Sequence, residues 1–130
     1  MDTIKSSDEI SRIFSCGRRF KTPFLTLIVE RCEAEGKTEL SKQHDPRGRV
    51  AFIAGKKLGN AVWRNAAKRR MRSLCGDLGG PWAGYDVIFL AKSTINEASY
   101  SKVVAACERT IRRSPLGGRE EADEKAAVRD

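Results

Sequence analysis

One stretch constrains this chain more than any other. From Lys56 to Arg72 it carries seven cations (Lys56, Lys57, Arg64, Lys68, Arg69, Arg70 and Arg72) and no carboxylate. Asn60 is a good N-cap and Gly76 a good left-handed stop, so Ala61 to Cys75 reads as a helix of about four turns, about 22 Å long. At 100° per residue, Trp63, Ala67, Met71 and Leu74 fall on one stripe. Arg64, Lys68 and Arg72, spaced i, i+4, i+8, fall on another, widened by Asn65 and Arg69. The apolar stripe requires a core to pack against. The basic stripe stacks like charges at i, i+4, which destabilises an isolated helix by about 0.2–0.5 kcal/mol per pair. A solvated helix face ordinarily mixes charge signs; this one does not, and points to an anion that relieves the repulsion. The basic turn Gly55 to Gly59 feeds the helix N-terminus, where backbone N–H groups favour phosphate. It is not a Walker A loop, because Gly-x-x-x-x-Gly-Lys-Ser/Thr is absent.

The flanking segments supply that core. Asp8 to Phe14 reads as a short helix, with Ile10, Ile13 and Phe14 at helical spacing, Ser6 or Ser7 as cap and Gly17 as its end. Phe24 to Cys32 is rich in branched residues and reads as a strand. The polar stretch Glu33 to Gly48 reads as a loop, after which Arg49 to Ala54 forms a second strand able to return antiparallel to the first. Gly79-Gly80-Pro81 breaks the chain, Asp86 to Ala91 is a short apolar strand, and Ser99 to Arg113 is a closing helix. The order α-β-β-α-β-α predicts an α+β fold, an α/β sandwich with one central sheet and helices covering one of its faces. Residues 1–114 form one domain. Residues 115–130 read as a disordered charged tail with almost nothing to bury. No internal repeat is present.

Charge then narrows the function. The 130 residues carry a formal net charge of +8, with a pI near 9.6, and leaving out Arg119 to Asp130 raises the remainder to about +10. Such an excess draws a polyanion, nucleic acid or an anionic membrane. No apolar run approaches the ~20 residues of a spanning helix, and Met1 to Ile10 mixes both charge signs, unlike a signal peptide. A cytoplasmic protein with no membrane partner and no small-molecule substrate is expected. Cys16, Cys32, Cys75 and Cys107 are scattered and the single histidine, His44, lies in a polar stretch, so no metal site is expected on the protein. A self-sufficient endonuclease needs metal-holding carboxylates or a histidine base. The carboxylates nearest the basic segment, Asp45, Asp77 and Asp86, are isolated in sequence, so no catalytic residue is assigned. An RNA-binding module of another kind, such as a ribosomal one, fits basicity and size equally well.

The motif decides between these. The string from Gly55 to Arg72 resembles the central motif of the bacterial ribonuclease P protein family, Lys-Lys-x-Gly-x-Ala-Val-x-Arg-Asn-x-x-Lys-Arg-x-x-Arg, and meets each of its ten fixed positions. Phe14, Gly17, Phe20 and Pro23 resemble the approach to the family's first long strand, Gly84 to Ala91 its last strand, and Tyr100 the aromatic opening its final helix. The resemblance covers residues 4 to about 113. It implies an α/β sandwich with a left-handed βαβ crossover, against the general right-handed preference. It implies two partners, the catalytic ribonuclease P RNA and precursor tRNA, with Mg2+ held mainly by the RNA. It places Lys56, Lys57, Asn60, Arg64, Asn65, Lys68, Arg69 and Arg72 against the catalytic RNA. It also implies a cleft between the first helix and the sheet for the substrate's 5′ leader, at Ile10, Phe14 and Ile28. Three positions depart from the pattern. Ile10 stands where the family usually has Phe, Ile28 where it often has Tyr, and Ala66 where it usually has Arg, with Arg69 or Arg70 near enough to compensate.

Overall fold

In the computed structural model residues 3–31 and 48–117 are described. The first helix, α1 (Ser7–Cys16), starts at Ser6, whose hydroxyl accepts from the Glu9 N–H at 3.3 Å. It ends at Gly17, whose N–H donates to the Ile13 carbonyl at 2.7 Å. The strands are β1 (Arg18–Lys21), β2 (Leu25–Arg31), β3 (Arg49–Ile53) and β4 (Tyr85–Ala91). Helix α2 (Ala61–Asp77) joins β3 to β4, and α3 (Tyr100–Arg112), capped by Ser99, closes the fold.

The strand order is β1-β2-β4-β3. β2 is antiparallel to both β1 and β4, and β3 is parallel to β4. Two expectations are corrected here. β1 is a fourth strand, which the sequence hid because Arg-Arg-Phe-Lys shows no apolar alternation. β3 does run opposite to β2, but β4 separates them; a helix between β3 and β4 makes a βαβ unit with parallel strands.

Helices also cover both faces of the sheet, not one. Leu25, Leu27, Val29, Val50, Val87 and Phe89 point to the face that packs on Ala67, Met71 and Leu74 of α2 and on Val103 and Cys107 of α3. The alternate residues Ile28, Ala51 and Ile88 point the other way and pack under Ile13 of α1. That alternation is the period-2 pattern of a strand buried on both faces. Ion pairs hold α1 in place. Arg49 on β3 donates to Glu9 at 2.9 Å and to both oxygens of Asp86 on β4, and Arg12 reaches Glu30 on β2 at 2.7 Å. Burial alone would lower the basicity of Arg49; its bonds to Asp86 and Glu9 outweigh that and raise it.

Two boundaries move. Gly76 does not stop α2: the helix continues to Asp77, and the left-handed residue is Gly79, at φ +96°. There the Gly80 N–H returns to the Cys75 carbonyl at 2.8 Å, as in a Schellman-type end. The domain also extends past residue 114, because Pro115–Gly117 forms a 3-10 turn that buries Leu116 against the core. The rest of the expected tail, residues 118–130, lies outside the described residues. So do Cys32, His44, Asp45 and nearly all of the expected Glu33 to Gly48 loop.

Candidate nucleic-acid interface

The basic motif begins where β3 ends. Lys56–Leu58 forms one 3-10 turn, with Lys56 and Lys57 exposed and Leu58 tucked toward the core. Gly59 then brings the backbone against Trp63: a Cβ at Gly59 would lie 2.9 Å from Trp63 Cβ, so glycine is required by close approach. Asn60 caps α2, its Oδ1 accepting from the Trp63 N–H at 2.9 Å. Its oxygen is thus committed to the helix, and the amide nitrogen is what it can offer a ligand. Val62, in the first turn, is 76% exposed.

Along α2 the two stripes separate as the wheel requires. Ala67, Met71, Leu74 and Cys75 are fully buried, and Trp63 is half-buried. Asn65, Arg69 and Arg72 are exposed, and Arg64 and Lys68 half-exposed. The Arg72 guanidinium lies 5.3 Å from the centre of the Phe52 ring on β3, within cation–π range. Arg64 Nε is buried with no hydrogen-bond partner among the described residues. None of the seven motif cations is paired with a carboxylate among those residues. The face is therefore an uncompensated positive field along one helix, the arrangement that draws nucleic acid.

Arg70 is different. Its guanidinium donates to the carbonyls of Ile95 and Ala98 at 3.0 and 2.7 Å and lies over the Tyr100 ring. It ties α2 to the segment before α3 and is not free to replace a cation at Ala66; of the two candidates, only Arg69 faces outward. Tyr100 in turn donates to Asp77 Oδ2 at 2.6 Å. Burial, aided by that bond, pushes its phenol up to about 12.

A second feature lies on the α1 face of the sheet. Ile10 and Phe14 of α1 are half-buried there, as are Ile53 and Leu90 at the far ends of β3 and β4. These four form a partly exposed apolar patch beside α1. Sequence reading missed Ile53 and Leu90, although their alternation with the core-facing Phe52 and Phe89 would have shown their side. Ile28 is corrected: it is 0% exposed, so it lies beneath this patch and touches no ligand. Among the described residues no cluster of three His, Cys, Asp or Glu could hold a metal ion, and no helix is long and apolar enough to cross a membrane.

The family model described as Ribonuclease P matches residues 1–114, which take in this helix, the turn before it and the apolar patch. The chain belongs to the ribonuclease P protein family. It is 32% identical over 116 residues to the ribonuclease P protein component of Natranaerobius thermophilus, covering 88% of this chain and 90% of that one. Against the component of Chloroflexus aggregans it is 33% identical over 110 residues, covering 83% and 73%. The fold matches the Staphylococcus aureus RNase P protein with a TM-score of 0.70 at 21% identity, over 89% of this chain and 97% of that one. It matches the RNase P protein from Thermotoga maritima at 0.66 and 14% identity, over 87% and 97%. Within the ribonuclease P protein family, then, this chain carries the uncompensated basic helix and has Ile10 and Ile28 on its α1 face.

Proposed function

We propose that this chain is the protein subunit of a ribonuclease P that removes the 5′ leader of precursor tRNA. In this reading the basic face of α2 and the turn before it bind the catalytic RNA. The single observation that carries it is the α2 face itself: Lys56, Lys57, Arg64, Lys68, Arg69 and Arg72 without one carboxylate partner among the described residues. Counterion release on phosphate contact makes such a face bind RNA tightly and salt-dependently. The apolar patch of Ile10, Phe14, Ile53 and Leu90 takes the single-stranded leader by apolar contact. Phe14 is the residue there able to stack on a base, worth about 1–3 kcal/mol.

The protein is not the catalyst in this reading. Hydrolysis of a phosphodiester needs an activated water and charge stabilisation, usually from divalent metal. The α2 face would repel Mg2+ unless RNA phosphates supplied its ligands, so the RNA holds the ion. The protein positions substrate and screens phosphate repulsion, and works in the cytoplasm. Cleavage of precursor tRNA with and without the catalytic RNA tests this. Protein alone should not cleave at any Mg2+ concentration. Added to its RNA, it should lower the Mg2+ required and tighten precursor more than mature tRNA. Cleavage by RNA-free protein would overturn the assignment.

A further inference from the structure

The α1 face of the sheet, which carries the leader reading, has cations along its β1 edge that play no part in the α2 face. On the β3 side the chain runs directly from Ile53 into the turn with Lys56 and Lys57. On the opposite edge is β1, four residues long, with Arg18, Arg19 and Lys21 all exposed. The register sets their sides. Arg19 stands opposite Ile28 and Lys21 opposite Thr26, so both point to the α1 face, like Ile53 and Leu90. Arg18 points to the other face, with its guanidinium over the Phe20 ring.

Arg19 is held in place. It donates to the Phe14 carbonyl at 3.0 Å, and its guanidinium lies 5.4 Å from the centre of the Phe14 ring. A planar cation fixed beside an aromatic ring presents both a phosphate contact and a stacking surface. Glu30, the carboxylate on this face of β2, is already taken by Arg12 and does not neutralise β1. Neither Arg19 nor Lys21 forms an ion pair among the described residues. Three strand spacings of ~4.8 Å separate β1 from β3, so Arg19 and Lys21 stand at one edge of a sheet face about 14 Å across, and the strand at its other edge leads into the turn with Lys56 and Lys57. A single strand crossing that face from the β3 side meets Arg19 and Lys21 for its phosphates at the β1 edge.

We propose that Arg19 and Lys21 on β1 are positioning residues for the leader nucleotides farthest from the cleavage site. The inference rests on the leader reading given above. It also fixes a direction. The α2 face binds the RNA that does the chemistry, so nucleotides near the cleavage site lie at the Lys56–Lys57 end and later ones leave across β1.

The test is holoenzyme affinity for precursors whose leaders lengthen one nucleotide at a time, with mature tRNA as reference, in wild type and in Arg19→Ala, Lys21→Ala and the double variant. Because Arg19 also bonds the end of α1, Lys21→Ala is the variant free of any bond whose loss could disturb the fold. Wild-type affinity should rise with leader length to a plateau. The double variant should level off at a shorter leader, losing roughly tenfold on the longest ones, the worth of about one charged hydrogen bond. Its salt slope on long leaders should fall by about 0.7 for each cation removed. Arg18→Ala, on the opposite face, should follow wild type. If the double variant follows wild type at every length, or loses equally on mature tRNA, the β1 assignment is overturned while the leader reading of the apolar patch stands. If wild type itself ignores leader length, the leader reading and this inference both fall.

Discussion

At the scale of single residues, adjacent arginines on one helix have opposite duties. Arg69 faces outward, while Arg70 spends its guanidinium on the Ile95 and Ala98 carbonyls. The wheel contained this distinction: Arg70 lies only about 20° from Trp63, on the core side, whereas Arg64, Lys68 and Arg72 spread away from it. Reading it as one of a run of cations hid its position. Arg70→Ala should therefore cost about 1–2 kcal/mol in stability, seen as a lower urea midpoint, and leave the salt dependence of RNA binding unchanged. The thiols divide in the same way. Cys16 is exposed, whereas burial pushes Cys75 up to about 11 and Cys107 up to about 12. Alkylation of the folded protein at neutral pH should mark Cys16 and spare Cys75 and Cys107. An unfolded chain releases these thiol protons near the ordinary value of 9.0 while the folded chain keeps them. Their contribution to stability is thus fully present below pH 9 and is lost as pH rises through about 11–12. A urea midpoint that climbs over that range would contradict the assignment.

At the scale of elements, what could be read from sequence was what repeats at a period. The three helices, with caps Ser6, Asn60 and Ser99, lay close to where the sequence put them, because each combines a cap with an apolar stripe. β1 was invisible because an edge strand with one core-facing residue, Phe20, shows no alternation. The parallel pairing of β3 with β4 was equally hidden, since pairing depends on which buried faces meet and not on local pattern. The docking of α1 is likewise a tertiary fact. It joins Ile13, which is fully buried, to an Arg49 shared by Glu9 and Asp86. Arg49→Ala should destabilise the protein by about 3 kcal/mol, because Asp86 is buried, and should speed amide exchange in α1 above all. Arg12→Ala removes a half-exposed pair and should cost under ~1 kcal/mol. Equal costs for the two would mean that the buried network is not what fastens α1.

At the scale of the whole molecule, the net charge of +8 has a definite distribution. The apolar stripe of α2 is consumed by the core, which leaves its cations on one outward face next to the turn after β3. The α1 face of the sheet offers an apolar patch with the cations of β1 along one edge. The motif made the first surface legible in sequence. The second was only partly so, because it assembles Ile10 and Phe14 from α1 with Ile53 and Leu90 from two strands far apart in the chain. The central claim is that the α2 face meets phosphates. Affinity for the catalytic RNA, measured against salt for wild type and for the Arg64→Ala, Lys68→Ala and Arg72→Ala triple variant, tests it most directly. The slope of log affinity against log salt should fall by about 0.9 for each residue lost, about three units in all on duplex phosphates. A triple variant that stays folded and keeps the wild-type slope would contradict the account.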